Sequence, residues 1–209
     1  MRAGWFEKTG PAAEVIAVGD MDKPVAGPGE VLIRLHASGI NPSDYKRRAN
    51  AKVPPEFPRV VPHSDGAGVV EALGAGVSGL SVGERVWCYN GQWARAMGTA
   101  AEYIALPQRY VKPLPANTSF EEGACFGIPC MTAYHAVHLA GSLKGKTVYV
   151  PGATGRVGAY AVQFAKWRGA RVIASTGSGE AAMAAIRDLG ADLVLDRKSP
   201  DLGARILAE

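Results

Sequence analysis

A glycine-rich segment between residues 151 and 158 has the residue types of a phosphate cradle. It reads Pro-Gly-Ala-Thr-Gly-Arg-Val-Gly, with glycines at Gly152, Gly155 and Gly158. Glycine allows a tight turn and a close approach of backbone amides to a ligand, and a following helix N-terminus adds donors and partial positive charge. The spacing is G-x-x-G-x-x-G rather than the G-x-G-x-x-G fingerprint. The segment predicts a pyrophosphate site, and the alternative is a strand–helix turn without a ligand.

The elements on either side of this loop have the order that such a site needs. Residues 147–150, Thr-Val-Tyr-Val, predict a buried strand, and residues 157–168 predict an amphipathic helix with Val157 and Phe164 on its apolar face. Strand–helix–strand–helix–strand is the first half of a doubly wound nucleotide-binding fold. The elements that complete this order are predicted at 171–175, 180–189 and 192–195.

The end of the second strand favours NADPH over NADH. NAD enzymes usually place an acidic residue about twenty positions after the loop, to hold the ribose 2′-hydroxyl. Here Ser175 and Gly177 occupy that region, and the next acid is Glu180. A 2′-phosphate would therefore meet hydroxyl groups rather than a carboxylate. Arg156 and Arg197 are the cations predicted to reach the adenosine end or the pyrophosphate, and the alternative for each is a solvated surface position.

The residues before position 119 predict a different architecture, an all-β barrel or sandwich. Residues 31–38 alternate apolar and polar side chains, the pattern of a half-buried strand. Turn-forming glycines and prolines separate the strands. Ser119 then begins a helical segment, so a β-domain over 1–118 and an α/β domain over 119–209 are predicted. The further candidate strands are 67–73, 84–89 and 101–105, and a helix is predicted through 130–139.

The composition predicts a globular protein without nucleic-acid or membrane partners. Of 209 residues, 47% are hydrophobic and 20% charged, which is ordinary for a folded domain. The net charge is +4, but the basic residues are scattered, so nucleic-acid binding is not expected. Three cysteines make no disulfide framework, and no apolar stretch reaches membrane-spanning length. With no signal-like N-terminus, a cytoplasmic location is expected.

Several motifs in a fixed order resemble the medium-chain dehydrogenase/reductase superfamily, and within it the zinc-independent, zeta-crystallin-like quinone oxidoreductase branch. The resemblance covers essentially the whole chain. It implies a GroES-like domain followed by a Rossmann domain, with NADPH as coenzyme and a small quinone as substrate. The motifs are Gly-Ile-Asn-Pro-Ser-Asp at 39–44, Pro-His-Ser-Asp-Gly-Ala-Gly-Val-Val at 62–70, Gly-Glu-Arg-Val at 83–86, Thr-Ala-Ala-Glu-Tyr at 99–103 and Gly-Ile-Pro-Cys-Met-Thr-Ala-Tyr at 127–134.

The same resemblance implies roles for individual residues. Asn41 would lie at the active site, Thr132 near the nicotinamide, and Tyr45 or Lys46 near the nicotinamide ribose or the substrate. Ser175 is expected to contact the coenzyme because it lies at the end of the second strand, where a 2′-phosphate would meet hydroxyl groups. The residues that would meet the phosphates are Thr154, Gly155, Arg156 and Val157, and those on the adenosine side are Gly177 and Arg197. Gly152 and Gly158 belong to the predicted pyrophosphate site as glycines of the loop itself.

Zinc is not expected. The positions that match the zinc ligands of related alcohol dehydrogenases hold Asn41 and Ser64, and neither is a usual zinc ligand. A quinone that accepts a hydride becomes a stabilised phenolate, so hydrogen-bond donors can replace a Lewis acid. Asp44 and Asp65 are predicted to cap loops, with a role as general acids only if their pKa values are strongly perturbed.

Other functions remain open at this point. An enal or enone reductase of the same superfamily shares every motif. A nucleotide-binding protein without catalysis, such as a redox sensor, a crystallin-like structural protein or an RNA-binding protein, is a second alternative. An atypical short-chain reductase is disfavoured because a whole β-domain precedes the glycine loop. The resemblance also implies a longer natural polypeptide, in which residues 119–209 would supply only the first half of the Rossmann domain. The full-length protein is expected to be a homodimer or homotetramer.

Overall fold

The computed structural model describes residues 1–50, 52 and 54–209, which form two compact units, Met1–Ile128 and Pro129–Glu209. The boundary predicted from sequence lay earlier, between 118 and 119. The strands are β1 (Arg2–Trp5), β2 (Ala17–Asp20), β3 (Glu30–Gly39), β4 (Asp65–Leu73), β5 (Arg85–Cys88), β6 (Tyr103–Pro107), β7 (Val111–Pro113), β8 (Thr147–Val150), β9 (Arg171–Thr176) and β10 (Leu193–Asp196). The helices are α1 (Ala12–Val15), α2 (Pro42–Ala49), α3 (Phe120–Gly123), α4 (Met131–Leu139), α5 (Arg156–Trp167), α6 (Glu180–Asp188) and α7 (Leu202–Leu207).

The first unit is built on a five-stranded antiparallel sheet of order β6-β3-β4-β5-β7, with a separate two-stranded β1–β2 ribbon. Val31 and Ile33 of β3 are fully buried, as the alternating pattern predicts, whereas Arg34 and His36 are exposed. Leu32 is buried as well, at a shift in the β3–β4 register. The four strands predicted in this region are confirmed, with bounds that differ by a few residues.

Several elements of the first unit were not predicted. Strands β1, β2 and β7 are short, and their pairing partners lie far away along the chain. Helix α2 follows an Asn-Pro pair that was interpreted as a turn, yet Pro42 occupies the first helical turn, where proline is well tolerated. The α2 segment is strongly polar, so no apolar periodicity marks it as a helix.

The second unit contains the predicted half of a doubly wound fold. Its parallel sheet has the order β10-β9-β8, and α5 and α6 connect the strands. Fully buried Val162, Val172 and Ala174 lie in its core, with Val194 and Ile186 beside them. The predicted fold class, a β-domain followed by a Rossmann-type parallel sheet, is therefore confirmed. In the part of the chain that the structure describes, no helix has the length and apolarity needed to cross a membrane.

Candidate functional site

The glycine loop follows β8 and leads into α5, as predicted. Gly152 adopts a left-handed φ of 61°, and Gly155 is the N-cap residue of α5. A Cβ atom on Gly158 would lie 2.5 Å from the Gly152 carbonyl oxygen and 2.8 Å from the Cα of Ala153. Only glycine fits there without a shift of the backbone, so Gly158 allows the first turn of α5 to pack directly on the loop.

Hydrogen bonds to the neighbouring strand hold this loop in place. The Ala153 amide donates to the Ser175 carbonyl oxygen at 3.0 Å. The hydroxyl groups of Thr154 and Thr176 lie 3.0 Å apart. Arg156 and Val157, the first two residues of α5, are exposed. The loop is therefore held on the side of the sheet and exposed on the other side. The amides at the α5 N-terminus carry the partial positive charge of the helix dipole, which suits a phosphate.

Ser175 has a different surrounding from the one expected of a ligand-facing hydroxyl. Its side chain is fully buried, and its Oγ lies 2.7 Å from the Tyr149 hydroxyl. Thr176 is buried too, and its Oγ1 accepts the Ser178 amide at 3.2 Å. Ser178 is the exposed hydroxyl of this region. Ser175 thus links β8 to β9 and supports the loop from behind.

Two cations lie over Gly177, immediately after β9. A Cβ atom on Gly177 would come 3.4 Å from Nε of Arg197 and 3.7 Å from Cε of Lys198. The Arg197 amide donates to the Thr176 carbonyl oxygen at 2.9 Å, which fixes the backbone of this corner. The carboxyl ends of β8, β9 and β10 share one edge of the parallel sheet, so this corner and the glycine loop belong to the same edge. Arg197 was predicted as a coenzyme-binding residue. Lys198 was not predicted as one, because only the three-dimensional fold brings its side chain close to Gly177.

In the first unit, Asn41 and Asp65 form a buried pair. Asn41 is 6% exposed and Asp65 is fully buried. The Asn41 Nδ2 group donates to Asp65 Oδ2 at 2.8 Å, and the Ile128 amide donates to the same oxygen at 2.8 Å. Burial raises the pKa of Asp65 to about 6, although both hydrogen bonds oppose the rise. Asp65 was predicted to cap a loop, and it joins the β3–α2 connection to the segment that precedes α4.

Asp44 fixes the backbone at the same place. It is the third residue of α2, and its Oδ2 accepts the Asn41 amide at 2.7 Å. This is the reciprocal bond of a capping box, and it agrees with the predicted capping role. Burial raises the pKa of Asp44 above its ordinary value.

A chain of hydroxyl groups reaches the backbone of Asp65. Thr99 Oγ1 donates to the Asp65 carbonyl oxygen at 2.7 Å and lies 2.8 Å from Ser38 Oγ, which lies 3.0 Å from Nδ1 of His63. Because the Thr99 proton is committed, Ser38 donates to Thr99 and accepts from His63, so the neutral ring carries its proton on Nδ1. His63 has a left-handed φ of 76°, and burial lowers the pKa of its imidazole.

A cavity of about 270 Å³ opens beside these residues. Asp44 and Arg47 of α2 line it, whereas Tyr45 and Lys46, two of the predicted catalytic residues, are exposed and are not among its lining residues. Arg47 donates to Gln92 Oε1 at 2.8 Å. Sequence analysis missed this wall because the residues come together only in three dimensions. Its remaining lining residues include Ser43, Ser64, Gln92 and Trp93.

The predicted site residues thus fall in both units. Asn41, Tyr45 and Lys46 belong to the first, and Thr132 lies exposed in the first turn of α4 in the second, as do all the predicted coenzyme residues. Within the described ranges, no group of three or more His, Cys, Asp or Glu side chains is arranged to hold a metal ion.

Comparisons with known proteins agree with this geometry. Residues 27–116 match the alcohol dehydrogenase GroES-like domain family. The chain is 38% identical to a quinone oxidoreductase of Mus musculus over 84% of this chain and 52% of the mouse protein. It is 35% identical to a trans-enoyl reductase of Aspergillus terreus over 92% of this chain and 68% of that protein. The chain spans about half the length of the curated quinone oxidoreductases it matches.

Solved structures agree as well. A mycobacterial protein solved in complex with NADPH is 30% identical and superimposes with a TM-score of 0.83 over 100% of this chain and 63% of that one. An NAD-dependent alcohol dehydrogenase is 34% identical and superimposes with a TM-score of 0.86 over 100% and 67%. On these matches, the chain belongs to the medium-chain dehydrogenase/reductase superfamily, in its quinone oxidoreductase branch.

Proposed function

We propose that the protein is an NADPH-dependent oxidoreductase that reduces a quinone by hydride transfer without a metal ion. The observation that carries the coenzyme choice is the pair of cations, Arg197 and Lys198, over Gly177. The last residues of β9 and the turn after it include no carboxylate that would repel a 2′-phosphate. The quinone oxidoreductase relatives support the acceptor.

The residues of the second unit fit a dinucleotide. The exposed loop from Thr154 to Val157 and the amides at the start of α5 would hold the pyrophosphate. Gly158 has no room for a side chain, which is what a helix packed on a phosphate-binding loop requires. Arg197 and Lys198 would hold the 2′-phosphate, with the exposed Ser178 beside them. When bound, the nicotinamide supplies the hydride.

The cavity of the first unit fits a flat, weakly polar acceptor. Trp93 gives it an aromatic wall, 66% exposed, and Ser43 and Ser64 contribute hydroxyl groups. Arg47 adds a cation to the same wall. A quinone gains negative charge on its oxygens during reduction, and such donors stabilise that charge as it develops. No metal is required for this, since the product is a stabilised phenolate.

The residue roles that follow are part of this proposal. Asn41 contributes a buried amide near the acceptor, and Thr132 contacts the nicotinamide end of the coenzyme. Tyr45 and Lys46, exposed on α2, act at the mouth of the site rather than on the wall of the cavity. We propose a homodimer or homotetramer in the cytoplasm for the whole protein.

An enone reductase is the second candidate. It is favoured by the Aspergillus terreus relative, which is a trans-enoyl reductase and matches 92% of this chain. Both functions use the same coenzyme site, so the acceptor alone separates them.

The experiment is a panel of acceptors. NADPH consumption is measured with small benzoquinones and naphthoquinones and with enals and enones of matched size. The proposed function predicts a higher kcat/KM for the quinones than for any enone. A higher kcat/KM for the enones would transfer the assignment to the second candidate. NADPH binding without turnover of any acceptor would favour a binding protein.

A further inference from the structure

Two cavities of the first unit lie side by side. One is the cavity of about 270 Å³ beside Trp93, hereafter the acceptor cavity. The other, the side cavity, has a volume of about 210 Å³ and is lined by Phe6 and Val60. Among the described residues, Arg47 and Gln92 line both cavities, so their side chains form the partition between them. Each cavity alone is smaller than the roughly 300 Å³ of an ordinary small-molecule site, whereas the two joined would exceed it.

Gln92 is the buried half of this partition. Its side chain is 5% exposed, its Nε2 donates to the Arg95 carbonyl oxygen at 3.1 Å, and its Oε1 accepts from Arg47 at 2.8 Å. The reverse orientation of the amide would set donor against donor and acceptor against acceptor, so only one orientation satisfies both partners. The loop around Gln92 has left-handed φ angles of 56° at Asn90 and 51° at Ala94, which are uncommon outside glycine. A strained loop therefore holds this amide between the two cavities.

Arg47 is the exposed half of the partition. Its side chain is 47% exposed, and its Nη2 lies 3.6 Å from Oε2 of Glu56, whose side chain is 52% exposed. Ion pairs as exposed as this contribute little stability. The bond to the buried Gln92 oxygen is therefore what holds the guanidinium group across the partition. Without that oxygen, Glu56 would be the remaining side-chain partner of Arg47 among the described residues.

The chemistry of the side cavity suits an uncharged alkyl group. Phe6 and Val60 are each 2% exposed, and two backbone hydrogen bonds of 2.9 Å join them, so this wall is apolar and firmly held. Pro54 and Pro55 add further apolar lining. Glu56 also lines the cavity, and its carboxylate would repel an anionic group. Alkyl groups gain free energy when they leave water for a surface of this kind.

We propose that Arg47 and Gln92 are specificity-determining residues, whose hydrogen-bonded pair keeps alkyl substituents of the acceptor out of the side cavity. A substituent on a ring bound in the acceptor cavity then extends into solvent and gains nothing from the wall at Phe6 and Val60. The wild-type protein therefore does not favour long alkyl substituents over short ones. The placement of a quinone in the acceptor cavity rests on the proposed function. The partition itself belongs to the first unit and can be tested with ligands that accept no hydride.

The test is a series of 4-alkylphenols, from 4-methylphenol to 4-pentylphenol, whose Kd values are measured by isothermal titration calorimetry with the full chain and no coenzyme. In the wild-type protein, the Kd is expected to be nearly independent of chain length. In Gln92→Ala, the Kd should fall by up to about fourfold for each methylene group that enters the side cavity, the gain expected from burying a CH₂ group. Equal chain-length dependence in the two proteins, or no binding by either, would overturn the proposal.

A second variant keeps the test decisive if Gln92→Ala fails to fold. Arg47→Ala removes the other half of the partition from an exposed position of α2, where alanine favours the helix, and it should produce the same chain-length dependence. Ser43→Ala is the control, because Ser43 lines the acceptor cavity and does not line the side cavity. It should change the Kd of every phenol alike. A chain-length dependence that appears in Ser43→Ala as well would show that the partition is not its cause.

Turnover gives a separate answer. The same alkyl series is measured as substituted 1,4-benzoquinones with NADPH, and kcat/KM should rise with chain length in Gln92→Ala and Arg47→Ala but not in the wild-type protein. The predicted Kd series without turnover of any quinone would leave the partition standing and contradict the proposed function. Quinone turnover with a Kd series that is flat in both variants would contradict the partition alone.

Discussion

Arg197 and Gly177 meet at the carboxyl edge of the parallel sheet, where a Cβ atom on Gly177 would lie 3.4 Å from the arginine Nε. The two residues follow the ends of β10 and β9, which pair in register from Leu193↔Ile173 to Asp196↔Thr176. The register therefore brings the cation to the glycine. The side chain of Lys198, the next residue in sequence, also lies close to Gly177. This corner is where the proposed coenzyme choice can be tested by substitution.

The double variant Arg197→Ala/Lys198→Ala is expected to weaken NADPH binding by about tenfold to a hundredfold, because hydrogen bonds to charged groups contribute about 1.5–3 kcal/mol. NADH binding should hardly change, since NADH has no 2′-phosphate. Isothermal titration calorimetry with both coenzymes measures this. Lys146→Ala is the matched control, because Lys146 precedes β8 at the opposite edge of the sheet. Equal losses for NADPH and NADH would contradict a 2′-phosphate site.

Gly158→Ala is expected to destabilise the second unit and weaken coenzyme binding together. The added methyl group would meet the Gly152 carbonyl oxygen at 2.5 Å, and relief requires the loop to move. Overpacking of this kind typically costs about 1–3 kcal/mol. Gly203→Ala is the control, because a Cβ atom there meets nothing within 4 Å and alanine favours a helix. Denaturant unfolding measures both variants. A Gly158→Ala protein as stable as Gly203→Ala would contradict the close packing.

The second unit was more readily predicted from sequence than the first. A short apolar strand, a glycine loop and an amphipathic helix are all local signals, so β8, the loop and α5 could be placed to within a residue. Helix α2 has no apolar periodicity, and its start depends on Asp44. The Asn41–Asp65 bond spans 24 positions, and the approach of Lys198 to Gly177 depends on strand register. No local sequence pattern predicts contacts of this kind.

Acid should stabilise the wild-type protein relative to Asp65→Asn between about pH 7 and about pH 5. The pKa of Asp65 rises from 3.8 to about 6 on folding, so the folded state binds the proton more tightly than the unfolded state. Stability therefore increases as pH falls through 6 and stops increasing below the unfolded pKa. The linkage predicts a gain of about 1 kcal/mol over this range. A difference between the two proteins that is constant with pH would show that Asp65 stays ionised.

Dialysis against a chelator is expected to leave NADPH-dependent quinone reduction unchanged. The motif resemblance implies that Asn41 and Ser64 stand where zinc alcohol dehydrogenases have zinc ligands, and neither residue is a usual zinc ligand. Initial rates before and after dialysis give the comparison, with a zinc-dependent alcohol dehydrogenase treated in parallel. Loss of activity that returns on addition of Zn²⁺ would contradict the metal-free mechanism.

The most direct measurement is a fluorescence titration of the purified protein with NADPH and with NADH, followed in the same sample by addition of a small quinone. NADPH is expected to bind at least about tenfold more tightly than NADH, in keeping with two cations at the proposed 2′-phosphate position. The quinone is then expected to oxidise the bound NADPH. Equal affinity for the two coenzymes, or bound NADPH that the quinone leaves unchanged, would contradict the proposed function.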